Sequence, residues 1–158
     1  MLITSSRKPS ASTRILCKYM AAFFGCEYFN RGKMSMSGVL DLSHGSLLMI
    51  LGEHHGNPGS ITVYDSDGFC VLSAHVSLLP LERKTYSISK NLKPEIVGRG
   101  EFASAFSDIF SLPLVEVPSS QLRIKISKGQ MDFVNNDIVF FSLKLRTYRL
   151  YEGDVDCN

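Results

Sequence analysis

Arg7 and Lys8 stand in a serine-rich stretch, Arg31-Gly32-Lys33 form a second short basic run, and Arg14 and Lys18 lie between them, four residues apart. Of all the residues in the chain these are best suited to chemistry, and the chemistry is anion binding. A guanidinium offers a planar fork to phosphate oxygens, and an ammonium a mobile point charge. Ser5, Ser6, Ser10, Ser12 and Thr13 add hydroxyl donors around the first run. Glycine between two bases lets the backbone approach a ligand closely. From Ser5 to Lys33 the chain carries six of its seventeen Lys and Arg residues and one acid, Glu27, an excess of +5 on a total of +2. A polyphosphate backbone is the counterpart such an excess suits.

Catalytic chemistry finds no comparable set. Gly25 and Gly32-Lys33 are separated by six residues where a phosphate-binding loop needs four, and Met34 stands where a magnesium-holding hydroxyl should be. Glu53-His54-His55 has metal-like residue types, but adjacent histidines on a strand point to opposite faces, and a metal needs three or four convergent ligands. His44 and His75 have no ligand-like neighbour in sequence. Ser87-Ile88-Ser89-Lys90 fits a Ser-x-x-Lys pattern without its companion motifs. The expectation is a protein that is not an enzyme, with no catalytic residues, no metal and no cofactor.

The elements that must position the bases follow from periodicity. A short strand is expected over 1–4 and a loop over 5–10. From Ala11 the apolar residues recur at helical spacing, Ile15-Tyr19-Phe23 on one row and Leu16-Met20-Phe24 on the next, with Arg14 and Lys18 opposite. Ser10 or Ser12 caps this helix and Gly25 stops it. A second strand over 27–29 can lie parallel to the first. Loops that follow adjacent parallel strands emerge at the same sheet edge, so the two basic runs are expected to converge there, beside a helix N-terminus that favours an anion.

A weaker helix is expected over 35–43, then strands over 46–51, 61–64 and 69–79, with turns at 56–59 and 65–68. The stretch 80–94 is polar and irregular and reads as a boundary. The second half is expected to open on a helix bearing Phe102, Phe106 and Phe110, a row that matches Ile15-Tyr19-Phe23 at an offset of 87. Strands over 114–117, 122–127, 131–134, 138–143 and 145–151 follow, with turns at Lys128-Gly129 and Asn135-Asn136-Asp137.

Charge is segregated along the chain. Residues 34–82 have no Lys or Arg and five acids, 83–99 have five bases and one acid, and 123–149 have six bases and two acids. Such blocks suggest one basic surface assembled from separate segments and backed by a neutral or acidic one. The four cysteines show no C-x-x-C spacing and are expected as reduced thiols. No apolar run approaches the roughly 18 residues that span a bilayer, and a cytoplasmic protein is expected.

Ser6-Arg7-Lys8-Pro9-Ser10 with Thr13-Arg14, and then Arg31-Gly32, resembles the opening of the Brix domain of ribosome-biogenesis proteins. Gly56-Asn57-Pro58-Gly59 with Ile61-Thr62-Val63-Tyr64 is similar to the middle of the stand-alone archaeal type. Asp132-Phe133, Ile138-Val139-Phe140-Phe141 and Arg146-Thr147-Tyr148-Arg149 are similar to the closing strands. The resemblance implies an α/β (α+β mixed-sheet) fold. A single domain over 1–158 would contain two similar halves, about 1–82 and 95–151. Each half would resemble the anticodon-binding domain of class II aminoacyl-tRNA synthetases. It also implies a non-catalytic factor that binds ribosomal RNA and acts in pre-rRNA processing and subunit assembly. Arg7, Lys8, Arg14, Lys18, Arg31, Gly32 and Lys33 are then the expected RNA contacts, with a second patch at Arg123, Lys125 and Lys128. The alternatives are a module that docks ribosomal proteins or other assembly factors, or a tRNA- or nucleotide-handling domain of the same fold.

Overall fold

The computed structural model describes residues 1–80, 88 and 91–152. In chain order the elements are β1 (Leu2–Ser5), α1 (Ala11–Phe24), β2 (Glu27–Tyr28), α2 (Met36–Leu42), β3 (Leu48–His54), β4 (Asn57–Tyr64) and β5 (Cys70–Leu78). After them come β6 (Glu95–Gly98), α3 (Glu101–Phe110), β7 (Leu114–Val115), β8 (Leu122–Ser127), β9 (Gln130–Asn135) and β10 (Ile138–Leu150). The described strands form one mixed sheet in the order β2-β1-β3-β4-β5-β10-β9-β8-β6-β7. β1 runs parallel to β2 and β3, and β6 runs parallel to β7 and β8. Every other neighbouring pair is antiparallel.

Helix α1 forms where its caps allow. Ser10 Oγ accepts the Thr13 N–H at 3.3 Å, and Gly25 adopts φ +65 as the Cys26 N–H closes onto the Ala21 carbonyl at 3.0 Å. Only glycine takes that left-handed conformation without strain. The buried face of α1 is Leu16, Cys17, Met20 and Phe23, while Ile15 is 39% exposed. Both expected rows reach the core, Leu16 and Met20 with Phe24 beside them and Phe23 with Tyr19 beside it. Only Ile15 turns outward, because 3.6 residues per turn rotate an every-fourth-residue row across the edge of the buried face.

Three further expectations are corrected. The turn expected at 56–59 is tighter: His55 and Gly56 both have positive φ, and Asn57, Pro58 and Gly59 already belong to β4. A two-residue loop of that handedness matches the right-handed strand twist. The second half opens on strand β6 rather than on a helix. Four residues leave too little periodicity to read, and Glu95 hides the strand's buried character. Its carboxylate is buried because it accepts the N–H groups of Ser119 and Ser120 and the Ser119 hydroxyl, at 2.8–3.0 Å. Finally, 138–143 and 145–151 are one strand, β10, with irregularities between Val139 and Phe141 and between Leu145 and Thr147. Most of the stretch expected as a boundary lies outside the described residues.

α1 and α3 cover one face of the sheet, and one core cluster contains buried residues from Ile3 to Leu143. Its centre is aromatic. Phe133 stacks on Phe141 at 4.2 Å, Phe23 meets Phe133 edge-on at 5.2 Å, and Phe24 stacks on Phe110 at 5.5 Å. α2 lies over the other face, where Val39 packs with Leu48 and Ile50.

Cys17 and Cys26 are free, as expected, whereas Cys70 is disulfide-bonded, against the expectation of reduced thiols throughout. Burial pushes the Cys17 thiol up to about 12 and the Cys26 thiol up to about 11. The thiolate is the reactive species, so at pH 8 on the order of 10⁻³ of Cys26 and less of Cys17 can react. Alkylation of the native protein at pH 8 is expected to be slow at both positions and to become fast in denaturant. Rapid native labelling of Cys17 would contradict the packing.

Candidate nucleic-acid interface

The two basic runs follow adjacent parallel strands. Leu2 and Ile3 of β1 register with Glu27 and Tyr28 of β2. The ladder continues past the strands: Phe29 N–H donates to the Ile3 carbonyl at 3.0 Å, and Thr4 Oγ1 donates to the Phe29 carbonyl at 2.8 Å. Both loops therefore leave the same edge. Arg31 registers this: burial first, and the Arg7 charge second, lower its pKa from the ordinary arginine value.

Each loop is tied at its base. Ser6 N–H donates to the Leu51 carbonyl of β3 at 3.0 Å, and Ser10 N–H donates to Glu53 Oε1. Arg7 and Lys8 are exposed between these anchors, with Pro9 buried behind them. Lys8 holds φ +51, a left-handed conformation that costs a non-glycine residue roughly 1–3 kcal/mol and persists only where surroundings enforce it. In the second loop Met34 N–H donates to the Arg31 carbonyl and Arg31 Nε donates to the Met34 carbonyl, both at 3.0 Å. Gly32, at φ +56, and Lys33 are exposed at its tip. Arg14 and Lys18 are exposed on the solvent side of α1. Arg14, in the first turn of α1, is the nearer to the Arg7-Lys8 loop, and Lys18 lies one turn further along.

A carboxylate of the protein already stands at the start of α1: Glu53, from the end of β3, accepts the N–H of the capping residue Ser10. Hydrogen bonds from the Ser10 side chain and backbone, and from Thr13, hold the Glu53 carboxyl below its ordinary value. A lowered folded-state pKa means that the ionised form stabilises the fold above the ordinary carboxylate range, near 4.3, and that this contribution fades as pH falls through the folded value. Glu53→Gln is therefore expected to be less stable than the parent at pH 7, with the gap closing below about pH 4. Urea melts across that range check it, and a gap that persists at low pH would contradict the capping role.

The bases expected as a second patch separate in role. Arg123 and Lys125 share one face of β8, since strand side chains alternate. Arg123 is committed within the fold: Nε donates to the Ser120 carbonyl at 3.2 Å, and Nη1 pairs with Asp137 at 3.0 Å. Lys125 is exposed, and Lys128 is exposed in the β8–β9 turn at φ +48. β8 stands six places from β1 in the sheet. Three bases not singled out from sequence, Lys144, Arg146 and Arg149, are exposed on β10, two strands from Lys125. Their alternation was the available signal, and the irregularity after Leu145 obscured it.

His54 and His55 are exposed in the β3–β4 turn with ring centroids 4.1 Å apart. Among the described residues no group of three or more His, Cys, Asp or Glu could hold a metal ion. No helix among them is long and apolar enough to cross a membrane.

No family model matches the chain. Individual relatives do. The chain is 42% identical over 149 residues to a "probable Brix domain-containing ribosomal biogenesis protein" of Methanococcoides burtonii, covering 94% of this chain and 96% of that one. A protein of the same description in Methanosarcina barkeri is 37% identical over 158 residues, with 96% and 100% covered. Among solved structures, an archaeal Imp4-like protein superposes with a TM-score of 0.80 at 26% identity, covering 96% of this chain and 99% of that one. A "probable ribosomal biogenesis protein" from Aeropyrum pernix gives 0.69 at 25% identity, with 91% and 92% covered. Identity of this level over nearly the full length of both chains leaves one conclusion: the chain belongs to the Brix domain-containing ribosomal biogenesis proteins.

Proposed function

We propose that this ribosome-biogenesis protein is a non-catalytic RNA-binding factor that acts in pre-rRNA processing and subunit assembly in the cytoplasm. Ribosomal RNA is its main partner, and ribosomal proteins or other assembly factors are further partners. The single observation that carries the reading is that the Arg7-Lys8 and Arg31-Gly32-Lys33 loops leave one sheet edge, after the adjacent parallel strands β1 and β2. Among the described residues no acid pairs with these bases, and like charges held together by tied loops are stabilised by an anion with several charged oxygens. The side chains of Arg7, Lys8 and Lys33 and the exposed face of Arg14 contact phosphates, Lys18 lies at the margin, and Gly32 allows close approach. Arg31 both positions its own turn through Nε and contributes charge.

On this reading the chain is one domain of two similar halves, about 1–82 and 95–151, each of the anticodon-binding-domain type. The sheet order supports it: β2-β1-β3-β4-β5 from one edge matches β7-β6-β8-β9-β10 from the other, with the same parallel and antiparallel steps. α3 follows β6 as α1 follows β1, while α2 has no counterpart between β7 and β8.

A salt titration of binding to rRNA fragments tests the function. Phosphate binding gives a linear fall of log affinity with log salt, at roughly 0.7–0.9 per contact. Four or more contacts predict a slope of about 3 or steeper. Binding that ignores salt would favour the alternative, a protein-docking module.

A further inference from the structure

A second set of cations lies on the face of the sheet turned away from α1 and α3, and strand register shows which side chains share it. On β5, Leu72, Ala74 and Val76 are buried in the helix-side core, so Ser73, His75 and Ser77 face outward. Lys144 stands opposite Ser77 and Arg149 opposite Ser73. Arg146 Nε donates to Ser77 Oγ at 3.1 Å, which puts its head on the same side. Residues three apart on a regular strand point to opposite faces. The extra residue between Leu145 and Thr147 cancels that alternation and returns Arg149 to the face of Arg146. On β8, Ile124 and Ile126 are buried in the core, and Lys125 between them faces outward.

Strands β5, β10, β9 and β8 carry five Lys and Arg residues and one acid, Asp132. Arg123 is taken by Asp137, and Asp132 Oδ1 accepts from Gln130 Nε2 at 2.8 Å and from Ser142 Oγ at 2.6 Å. Among the described residues Lys125, Lys144, Arg146 and Arg149 are exposed and none is held in an ion pair. They span about 17 Å along β10, by strand rise, and about 10 Å across two strand spacings. Among the described residues of these strands the face offers hydroxyls beside these cations and a single small ring, the His75 imidazole, but no Phe or Tyr. Phe133, Phe140, Phe141 and Tyr148 of the same strands all join the helix-side core. Single-stranded nucleic acid is held largely by stacking its bases on aromatic side chains. Double-helical RNA keeps its bases stacked within and presents phosphates and 2′-hydroxyls, which cations and hydroxyls recognise by shape.

We propose that this outer face of β5, β10, β9 and β8 is a second RNA site, which takes the sugar-phosphate surface of double-helical RNA through Lys125, Lys144, Arg146 and Arg149. It rests on the RNA-binding reading above but uses residues outside the loop site.

The experiment compares the parent chain, Lys144→Glu with Arg149→Glu, and Arg7→Glu with Lys8→Glu. Each is titrated with a 20-base-pair RNA duplex and with a single strand of the same length, at several salt concentrations. Lys144 and Arg149 are exposed, so an unchanged urea midpoint is expected, and the milder Lys144→Ala with Arg149→Ala serves if it shifts. The expected result is a loss of duplex affinity of roughly tenfold or more in the Lys144/Arg149 variant. Its salt slope flattens by about 1.5, and its single-strand affinity stays within about twofold. Duplex isotherms that superimpose on the parent's, while the Arg7/Lys8 variant is weakened, overturn this second site and leave the loop site standing; a face that serves a protein gives the same superposition. An equal loss for single strand and duplex overturns the commitment to double-helical RNA. A parent chain that binds neither RNA at low salt overturns both the second site and the reading on which it rests.

Discussion

Reversing the charges of Arg7 and Lys8 is expected to weaken binding to rRNA fragments about 100-fold at moderate salt. The two side chains are exposed at the apex of a loop whose ends are fixed by the Ser6–Leu51 and Ser10–Glu53 hydrogen bonds. Hydrogen bonds to charged groups contribute roughly 1.5–3 kcal/mol each, so losing two of them costs about 3 kcal/mol or more, and about 1.4 kcal/mol is tenfold in affinity. Two lost phosphate contacts also flatten the salt slope by about 1.5. The loop's fold does not depend on these side chains, because its anchors are backbone groups and Glu53, and so the urea midpoint should stay where it is. Binding and slope that match the parent's would sink the loop site. Arg31→Ala is a different experiment: it removes the Nε bond to the Met34 carbonyl along with the charge, so binding and local order change together.

Phe133→Ala is expected to destabilise the protein by about 3–5 kcal/mol, the usual cost of truncating a fully buried phenylalanine. Phe133 has no exposed surface and touches the rings of Phe23, Phe24 and Phe141, so the cavity is walled by α1 and β10 and cannot collapse cheaply. At this chain length the loss corresponds to a melting point lower by roughly 10 °C. The pattern of the loss is as informative as its size. Phe23 and Phe24 belong to the N-terminal stretch and Phe133 and Phe141 to the C-terminal one, so both share one cluster. Hydrogen exchange should therefore rise together in β3 and β8. Acceleration confined to residues 95–151 would show that the two stretches fold independently.

The elements that local chemistry controls were legible before the structure. α1 has its apolar spacing, its serine cap and its glycine stop within 16 residues, from Ser10 to Gly25. The β8–β9 hairpin has alternation and a Lys128-Gly129 turn, both at positive φ. The basic character of the first 33 residues is a matter of counting. Strand β6 was illegible because its defining event is non-local: Glu95 is buried only because Ser119 and Ser120 bring it their N–H groups across more than 20 residues. Four residues carry no period strong enough to announce that.

By itself the sequence determined that a cationic segment exists, that a helix separates its two runs, that local patterns favour the α/β elements around them, and to which family the residues are similar. The tertiary structure alone decided how the charges are used. Register along β1 and β2 sends the Arg7 and Arg31 loops off one edge; Glu53, 43 residues from Ser10, accepts the N–H of the residue that caps α1; Asp137 takes Arg123. The irregularity after Leu145 turns Arg149 to the side of Lys144. Charge is a property of residue type and is additive along the chain. Its availability depends on which partners folding brings within a few ångströms, and those partners are distant in sequence.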